Sequence, residues 1–385
     1  MARLGDVCEI AAGQGAPQGE NNYCSYNEGI PFIKAGDLSN LLSGKQENEI
    51  QCVKETVAKQ YKLKLYPAGS ILFAKSGMSC MKGYVYRTKQ PCYVVSHLAI
   101  VIPQKVDGEY LKYYFQYNKP NFLIKDSAYP SISLQDISNM EVKLPSLEIQ
   151  MSIANELNKV NGLISLRQQQ LAKLDELVKS RFIEMFGDPT TNPKGWLETT
   201  IGKECYYIKD GPHKSLEDVG EGNGYPFISV RNIVNGVIDF STARYISEQD
   251  YIESIKKCHP QKGDMLYSKG GTTGIAKLID IDIEFENWVH VAVLKFDESL
   301  NGVFFENMLN SDYCYTQSQK LTKGIANRDL VLGAMAQIQF YKPPLHLQQQ
   351  FAAFVKQTDK SKSEIQKSLE KLETLKKALM QKYFG

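Results

Sequence analysis

The stretch EIQMSIANELNKVNGLISLRQQQLAKLDELVKSRFIEMF, residues 148–186, runs for about forty positions without proline and with a single glycine. Its apolar residues recur at steps of three and four, which is the heptad pattern of a coiled-coil helix. They are Ile153, Val160 and Leu174 at one seam position and Leu157, Ile164, Leu171, Val178 and Met185 at the other. A helix of this length spans roughly 58 Å, more than the width of a small domain. The stretch therefore predicts a long spacer helix.

A second stretch of the same kind ends the chain: HLQQQFAAFVKQTDKSKSEIQKSLEKLETLKKALMQKYF, residues 346–384. A shift of 198 positions, from Gly187 to Gly385, superimposes the two stretches without a gap. The same shift lays Pro145, Leu147 and Gln150 on Pro343, Leu345 and Gln348. The seam of the second stretch carries Phe351, Val355, Ile365, Leu369, Leu372, Leu379 and Tyr383. The chain is therefore a tandem duplication in which each half ends in a long helix.

Polar residues interrupt both seams, so neither helix is apolar enough to be stable alone. They are Arg167, Arg181, Thr358, Lys362 and Lys376. One interpretation is that each helix packs only on its own globule. The other is that the two helices pack on each other in antiparallel orientation, because tandem halves joined by a globular segment favour a two-fold arrangement. The length of the heptad pattern favours the antiparallel coiled coil, since the predicted helix is longer than any single globule on which it could lie.

The composition excludes several classes of protein. The 385 residues include 45 basic and 43 acidic side chains, a formal net charge of +2, so binding to a polyanion must use local basic patches. The 8 cysteines are scattered, without CxxC pairs or a nearby histidine cluster, which predicts reduced thiols in a cytoplasmic protein and no metal site. Neither a leader peptide nor a run of about 18 apolar residues is present, so secretion and membrane spanning are not expected.

The segments before the two helices contain short apolar, β-branched runs that are broken by glycine, proline and asparagine. Each of these runs in the first half has a similar run in the second: IPFIKAGDL corresponds to YPFISVRNI, GSILFAKSG to GDMLYSKGG, and VSHLAIV to WVHVAVL. The spacing between these runs differs between the halves. We therefore expect two globules with a common framework and diverged loops, which present two different binding surfaces at a fixed separation.

The predicted fold is α+β. Two β-rich domains form a tandem pseudo-two-fold repeat and are separated by two long helices that pair as an antiparallel coiled coil. The predicted boundaries are 1–147 for the first domain, 148–187 for the first helix, 188–345 for a linker and the second domain, and 346–385 for the second helix.

Residues that could indicate an enzyme fail on spacing or context. Gly13, Gly15 and Gly19 follow an apolar run, but Pro17 and polar residues stand where a phosphate-binding helix should begin. The runs NPKGW and KPPL match only part of the motif with which adenine methyltransferases grip a flipped base. The acidic runs DGEYLK and LIDIDIEFE do not have the spacing of a metal-dependent nuclease site. The sequence therefore predicts no catalytic residue.

His97 and His290 occupy equivalent strand positions between apolar neighbours. A repeated histidine is a possible catalytic group, but no paired nucleophile or carboxylate motif accompanies either one. Both are therefore interpreted as buried, hydrogen-bonded structural residues.

Basic and small polar residues recur in loops at matching positions of the two halves. Such loops suit DNA, because glycine lets the backbone approach phosphates, hydroxyl and amide groups bond to them, and Lys or Arg donates to guanine edges. The candidate DNA-binding residues of the first half are Lys34, Lys75, Ser76, Gly77, Tyr129 and Ser131. Those of the second half are Arg231, Asn232, Lys269, Gly270, Thr272, Thr273, Asn327 and Arg328.

Taken together, these features resemble the DNA-specificity subunit of type I restriction-modification enzymes. The resemblance rests on the paired runs LPSLEIQ at 144–150 and KPPLHLQ at 342–348, the two long helices, the FGDP junction at 186–189, and the loops GSILFAKSG and GDMLYSKGG. It covers essentially the whole chain. No single motif is specific to the family, but the same order of motifs, repeated twice, is hard to obtain otherwise.

The resemblance implies that each globule is a target-recognition domain for one half of a split, double-stranded DNA sequence, and that the helices set the gap. It also implies two methyltransferase (adenine N6) subunits, which carry S-adenosylmethionine and the catalytic groups, and ATP-dependent restriction subunits. This chain would then be a non-catalytic prokaryotic subunit with no cofactor of its own. The seam residues would form the coiled coil and the interface with partners.

Two other interpretations stay open at the level of the sequence. A pure interaction scaffold would bind proteins or glycans through its globules and would have no basic surface common to both. A stand-alone DNA-binding regulator would recognise a bipartite sequence without a methyltransferase partner.

Overall fold

The computed structural model describes residues 1–325 and 327–385. The chain forms two compact units: unit 1 comprises Met1–Gln168 and Lys367–Gly385, and unit 2 comprises Gln169–Gln366. Both divisions fall inside the long helices. Each unit therefore consists of one globule, the first part of one long helix and the last part of the other.

Unit 1 contains the first globule. Its strands are β1 (Ala2–Arg3), β2 (Cys8–Ala12), β3 (Ile30–Ile33), β4 (Cys52–Val53), β5 (Ile71–Ala74), β6 (Val85–Arg87), β7 (Tyr93–Val94), β8 (Leu98–Pro103) and β9 (Glu141–Val142). Its helices are α1 (Leu4–Val7), α2 (Asp37–Leu42), α3 (Glu55–Gln60), α4 (Gly108–Tyr117), α5 (Leu134–Ser138) and the beginning of α6 (Leu147–Phe186). It also contains the end of the last helix of the chain.

Unit 2 contains the second globule. Its strands are β10 (Leu197–Thr200), β11 (Cys205–Asp210), β12 (Tyr225–Ile228), β13 (Arg244–Ile246), β14 (Met265–Ser268), β15 (Ala276–Leu278), β16 (Glu286–Asn287), β17 (Val291–Phe296) and β18 (Gln339–Lys342). Its helices, besides the end of α6, are α7 (Ile201–Glu204), α8 (Glu248–Ser254), α9 (Gly302–Leu309), α10 (Asp312–Leu321), α11 (Leu332–Met335) and the beginning of α12 (Leu345–Phe384).

The two globules have the same sheet topology. In unit 1 the order β2-β8-β5-β6 forms an antiparallel sheet, and β4-β3-β7 forms a mixed sheet in which β3 and β7 are parallel. In unit 2 the corresponding orders are β11-β17-β14-β15 and β13-β12-β16, with β12 and β16 parallel. The central strands β5 and β14 are buried at every position, because both of their faces are covered. The similar runs of the two halves of the sequence therefore form equivalent strands.

A glycine is required where the chain leaves the first strand of each larger sheet. A Cβ atom on Gly13, after β2, would lie 2.1 Å from the carbonyl oxygen of Val95. A Cβ atom on Gly211, after β11, would lie 1.6 Å from the carbonyl oxygen of Asn287. In both units the strand exit passes against the strand of the smaller sheet. Gly13 is thus explained by backbone packing.

A buried glutamine fixes the start of each long helix. In unit 1 the Gln150 amide donates to the Pro145 carbonyl at 2.7 Å and accepts from the Asp107 backbone N–H at 2.9 Å. Asp107 is the N-cap of α4, so one side chain ties the helix start to the globule. The same pair of bonds recurs in unit 2, at 2.7 and 2.8 Å, among Gln348, Pro343 and the N-cap Asn301. These bonds explain why proline and glutamine are repeated at this spacing.

Aromatic rings join both long helices to the globule in unit 2. Phe186 at the end of α6 lies 4.9 Å, centroid to centroid, from Phe304 of α9 and 5.5 Å from Phe351 of α12. Phe182 stacks on Phe304 and lies edge-on to Phe351. Edge-to-face and stacked pairs at these distances stabilise beyond their buried area. The cluster therefore anchors the end of one helix and the start of the other on one core.

Unit 1 repeats this cluster with the helices exchanged. Phe384 at the end of α12 lies 5.1 Å from Tyr110 of α4 and 6.4 Å from Tyr114. Leu379, Met380 and Phe384 belong to the same core as Ile153 and Leu157 at the start of α6. The interpretation in which each helix packs only on its own globule is therefore wrong, since the end of α12 packs on the first globule. Opposite ends of the two helices meet in each unit, as in an antiparallel pair.

The predicted seam residues lie on the covered side of their helices. Buried members are Ile153, Leu157, Val160, Val178, Phe351, Val355, Leu369 and Leu379, and half-buried members are Ile164, Leu171, Leu174, Met185, Ile365, Leu372 and Tyr383. The polar interruptions are accommodated individually: Lys362 forms an ion pair with Asp175 across the two helices at 2.7 Å, and the Thr358 hydroxyl donates to the Phe354 carbonyl at 3.0 Å.

The heptad pattern did not predict Phe182 and Phe186, because the buried residues after Val178 recur at steps of four.

Two general features bear on the class of protein. Within the described residues, no helix combines the length and the apolar character that a bilayer crossing requires. The cysteines are free thiols, and all except the half-buried Cys24 are buried. Burial raises the pKa of the Cys92 thiol to about 12, so this thiol is protonated and unreactive at neutral pH.

Candidate DNA interface

Two loop segments that the sequence singled out pair with each other in unit 1. The loop after β5 runs alongside residues 129–131, and Ser76 forms an isolated β-bridge with Ser131. The Gly77 amide donates to the Pro130 carbonyl at 3.0 Å. Gly77 has φ +76°, a left-handed conformation that favours glycine, and its Cα faces open space. The paired segments form a small platform next to the exposed end of the larger sheet.

The histidines lie on this platform, not in the core. His97 is exposed, and its Nδ1 atom is 2.9 Å from the Ser76 hydroxyl oxygen. In unit 2 His290 is exposed and lies edge-on to Trp288, with ring centroids 5.1 Å apart. The prediction that both are buried structural residues is wrong. The apolar residues that follow the histidines belong to β8 and β17, whereas the histidines themselves occupy the turns before these strands, where the chain points outward.

Lys34 and Tyr129 flank the platform of unit 1. Lys34 follows β3, and its ammonium donates to Gln51 at 2.8 Å and lies 4.2 Å from the centroid of the Tyr23 ring. Its backbone N–H is capped by Asp37 at 2.8 Å. Tyr129 is 81% exposed. An exposed aromatic ring beside hydroxyl groups and open backbone is available for a ligand.

Unit 2 pairs the equivalent loops in the same register. Gly270 bridges Asp329, and the Gly271 amide donates to the Arg328 carbonyl at 3.0 Å. The registers match Gly270 with Ser76, Gly271 with Gly77, Arg328 with Pro130, and Asp329 with Ser131. Asn327, the counterpart of Tyr129, is exposed. The backbone of the platform is thus common to both units, and its side chains differ.

Lys269 is withdrawn from the surface of unit 2, which corrects the prediction that it contacts DNA directly. Its ammonium is 2.9 Å from Asp329 Oδ1 and 3.5 Å from Asp210 Oδ2, and only 7% of the side chain is exposed. Asp210 also accepts from Lys257 at 2.9 Å. Burial opposes ionisation of Asp210, but the hydrogen bond and charge of Lys257 and the charge of Lys269 hold its pKa below the ordinary value. Lys269 therefore positions Asp329 instead of reaching outward.

Two other predicted contacts in unit 2 are buried and hydrogen-bonded internally. The Asn232 side chain accepts from the Ser229 backbone N–H at 2.9 Å and donates to the Asp239 carbonyl at 2.8 Å. It therefore shapes the turn that presents Arg231, and its amide is not free to contact a base. Thr273 is also buried, with its hydroxyl 2.9 Å from that of Thr322. The prediction of direct DNA contact is corrected for both residues, whereas Thr272 is exposed.

A cleft of about 600 Å³ opens beside the platform of unit 2. Its walls include Arg231, Arg328, Trp288, His290 and Asp329. A smaller cavity of about 290 Å³ lies against it and shares Arg231 and Trp288. The Trp288 Nε1–H is buried and has no hydrogen-bond acceptor among the described residues. Sequence analysis missed Trp288 and Asp329, and the repeated position of WVH and VSH was the signal that could have located the cleft.

The cleft offers both hydrogen-bond donors and an acceptor. Arginine and open backbone amides donate hydrogen bonds, and Asp329 accepts them. Within the part of the chain that the structure describes, no group of three or more His, Cys, Asp or Glu side chains is arranged to hold a metal ion.

A comparison with protein families shows to which family the chain belongs. The model of the type I restriction modification DNA specificity domain matches residues 1–176 and 193–377. The chain belongs to this family. It is a DNA-specificity subunit of a type I restriction-modification system, and the two matched segments correspond to the two halves of the duplication. Each match extends from a globule into the long helix that follows it.

Two relatives are similar to this chain in sequence. The chain is 25% identical, over 321 residues, to the type I restriction enzyme MjaIX specificity subunit of Methanocaldococcus jannaschii, and the alignment covers 76% of this chain and 71% of that protein. A putative MjaX specificity subunit of the same organism is 28% identical over 78 residues, 20% of this chain and 18% of that protein.

Solved structures show the same fold. The type I restriction-modification S subunit from M. genitalium superimposes with a TM-score of 0.60 at 14% identity, covering 100% of this chain and 95% of that one. A chain from a structure of the type I R-M system, determined to explain complex assembly and conformational transition, gives a TM-score of 0.58 at 17% identity, with 100% and 96% coverage.

Proposed function

We propose that this specificity subunit recognises a bipartite double-stranded DNA sequence, one half through each globule. The observation that carries the proposal is the duplicated platform: both units pair the same two loops in the same register, yet place different side chains on them. A common backbone with divergent exposed side chains is what two readers of different half-sites require.

The two long helices make the spacing between half-sites part of the recognised sequence. A good bidentate base contact discriminates by about 1–3 kcal/mol, so the few contacts of one globule define only a short half-site. Linking two such readers raises the apparent affinity by roughly 10² to 10⁴, provided that both can bind at once. A stiff helical connection therefore selects one gap length.

The subunit directs partner enzymes to this sequence and has no catalytic residue of its own. The partners are two methyltransferase subunits, which bind S-adenosylmethionine and methylate adenine at N6, and ATP-dependent restriction subunits. Apolar side chains that remain exposed along α6 support a protein partner on this helix. They are Ile149, Met151, Leu163, Leu166, Leu177 and Ile183. The expected compartment is the prokaryotic cytoplasm.

Co-expression with the methyltransferase subunit encoded next to this gene tests the proposal. Single-molecule sequencing of the host genome would map the methylated adenines, first for the natural chain. In a second chain, residues 205–338 are replaced by residues 8–140, so that both positions carry the first globule. The strand pairs β1-β9 and β10-β18 are kept as the junctions.

The natural chain is expected to give a split motif with two unlike halves. The chain with two copies of the first globule is expected to give a motif in which the half-site of the first globule occurs twice in inverted orientation. Methylation of an undivided motif, or the same motif from both chains, would contradict bipartite recognition. A soluble, stoichiometric complex that methylates no DNA would favour an interaction scaffold.

A further inference from the structure

Two arginines, Arg231 and Arg328, line the cleft of unit 2, and both guanidinium groups are held by acceptors of the protein. Arg328 Nη2 donates to the Gln319 side-chain oxygen and lies 3.5 Å from the Thr273 hydroxyl. Gln319 is itself fixed, because its amide donates to the Thr273 carbonyl at 2.9 Å. The hydrogen bonds of the described residues thus engage one terminal nitrogen of Arg328 and leave the donors of Nε and Nη1 for a ligand.

Arg231 is oriented in a comparable way. Its Nη2 donates to the Thr242 carbonyl at 2.8 Å, and its backbone belongs to the short turn that Asn232 closes on Ser229. Arg231 is exposed and lines both the cleft and the smaller cavity. Two guanidinium forks are therefore held in place before any ligand arrives, which reduces the entropy lost on binding.

The carboxylate in the same cleft determines which ligand fits. Asp329 lines the cleft, and Lys269 holds one of its oxygens at 2.9 Å. A carboxylate repels phosphate, so a site for the DNA backbone alone does not explain it. In the major groove a G·C pair presents the O6 and N7 acceptors of guanine next to the N4 amino donor of cytosine. Arginine donors beside a carboxylate acceptor are complementary to that pattern.

The platform of unit 1 has no charged side chain at the positions that correspond to Arg231, Arg328 and Asp329. The strand registers place Gly36 where unit 2 has Arg231, Pro130 where it has Arg328, and Ser131 where it has Asp329. Val95 corresponds to Trp288, since the amide of each donates to the end of the neighbouring parallel strand at 3.0 and 2.9 Å. The difference therefore lies in the recognition chemistry and not in the framework.

We propose that the second globule recognises a half-site containing a G·C pair, with Arg328 donating to the guanine, Asp329 accepting from the cytosine, and Gln319 acting as the positioning residue of Arg328. The proposal rests on the bipartite DNA recognition proposed above and names the chemistry of one of its halves. Arg231 supplies a second donor in the same cleft.

The test uses the complex of the full chain with its methyltransferase subunit and selects bound duplexes from a random library. The natural chain is compared with Arg328→Lys and with Gln319→Ala. Arg328→Lys keeps the positive charge but loses the planar guanidinium group that can donate two hydrogen bonds to one base. Lys320→Ala is the matched control, because Lys320 is exposed on the same helix as Gln319 and is not part of the cleft wall. Circular dichroism and thermal unfolding establish that each variant is folded.

The expected result is a split motif in which one half contains a G·C pair. Arg328→Lys is expected to lower the preference for guanine at one position of that half by about 5- to 150-fold and to leave the other half unchanged. Gln319→Ala is expected to relax the same position by a smaller factor, and Lys320→Ala to select the unaltered motif. If Arg328 and Gln319 had only a structural role, their substitution would not change the selectivity at a single base.

Two outcomes would overturn the inference while leaving bipartite recognition intact. One is a split motif without a G·C pair in the half that the Arg328 variant alters. The other is an unchanged motif from a folded Arg328→Lys complex, which would assign this arginine to the framework or to phosphate. Selection of no split motif by the natural complex would instead contradict the proposed function itself.

Discussion

Units 1 and 2 share their framework almost position by position and differ in what they place on it. The strand orders, the glycine at the strand exit, the glutamine at the helix start and the ring cluster at the helix ends recur in both. At matched positions of the exposed loops, unit 1 has Pro130 and Ser131 where unit 2 has Arg328 and Asp329. Buried contacts tolerate few substitutions, because a lost partner leaves a cavity or an unpaired polar group, whereas a loop side chain can change without unfolding the globule.

A second difference lies beneath the platforms. The smaller sheet of unit 1 has Tyr93 where that of unit 2 has Glu286, as the parallel pairs β3-β7 and β12-β16 show. Glu286 is buried, and its Oε2 atom has no hydrogen-bond partner among the described residues. Burial raises the pKa of Glu286 to about 8. At this position of the smaller sheet unit 2 therefore carries a buried acid, whereas unit 1 carries a tyrosine.

The ring clusters give the largest expected effect and test whether the two anchors are equivalent. Phe186→Ala is expected to destabilise unit 2 by about 3–5 kcal/mol, because it removes a ring that contacts both Phe304 and Phe351. Phe384→Ala is expected to destabilise unit 1 by less, because Phe384 lies in the last turn of α12, where the helix end can relax. Chemical denaturation followed by hydrogen exchange would assign each loss to its unit. Equal losses in both units from either variant would contradict this division.

Glu286 gives the next largest effect and should distinguish the two units by pH. Its folded pKa lies above the ordinary 4.5, so the folded state retains the proton, and the stability of unit 2 should fall as the pH rises from 4.5 to about 8. Glu286→Gln should remove this dependence and raise the stability of unit 2 at pH 8 by a few kcal/mol. Thermal unfolding at pH 5 and pH 8 measures the change. Glu284→Gln, at an exposed position, is the control and should leave the pH dependence intact.

The buried glutamines test the part of the framework that both units share. Gln150→Ala and Gln348→Ala each remove two hydrogen bonds and leave a buried carbonyl and backbone N–H unpaired, which costs about 1–3 kcal/mol. The two losses should be similar and should fall in units 1 and 2 respectively. Gln349→Ala, one residue further along α12 and exposed, should be neutral. Urea unfolding of the three variants would measure this, and an effect confined to one unit would break the proposed equivalence.

The exchange of one platform residue between units should have the smallest effect on stability. Ser76→Gly removes a hydrogen bond to the exposed His97 and is expected to cost unit 1 less than about 0.5 kcal/mol. The reverse change, Gly270→Ser, brings a Cβ atom within 2.1 Å of His290 Nδ1 and must displace that ring. Chemical shifts of the two histidines would report both effects. An unmoved His290 in the Gly270 variant would show that the units tolerate the same side chain.

Much of the framework could be predicted from the sequence. The repeat of proline and glutamine, the heptad seam and the paired apolar runs each reflect a local rule, namely helix periodicity, strand alternation or a fixed spacing before a helix start. The prediction that the long helices are antiparallel depended on the duplication, and the cores of both units contain opposite helix ends. Phe182 and Phe186 were missed, because the step of the buried residues changes from the heptad to four at the end of α6.

The candidate interface was predictable only in part. The sequence predicted that these loops recur at matching positions of the two halves, but it did not predict that Ser76 meets Ser131 or that Gly270 meets Asp329 across long stretches of sequence. Nor did it predict which of their side chains are exposed, because the exposure of a side chain depends on partners that the sequence does not place nearby. Lys269 was predicted to face DNA, but Asp210 and Asp329 hold it inside.

The sequence by itself determined that the chain is a duplication, that each half ends in a long heptad helix, and that the halves have one framework with different loops. These properties follow from periodicity and from repeated residues, which are local. Only the tertiary structure decided that the end of α12 packs on the first globule, that His97 and His290 are exposed, and that Arg231, Arg328 and Asp329 share one cleft. These depend on which distant segments meet, because burial and ion pairing are set by neighbours in space and not by neighbours along the chain.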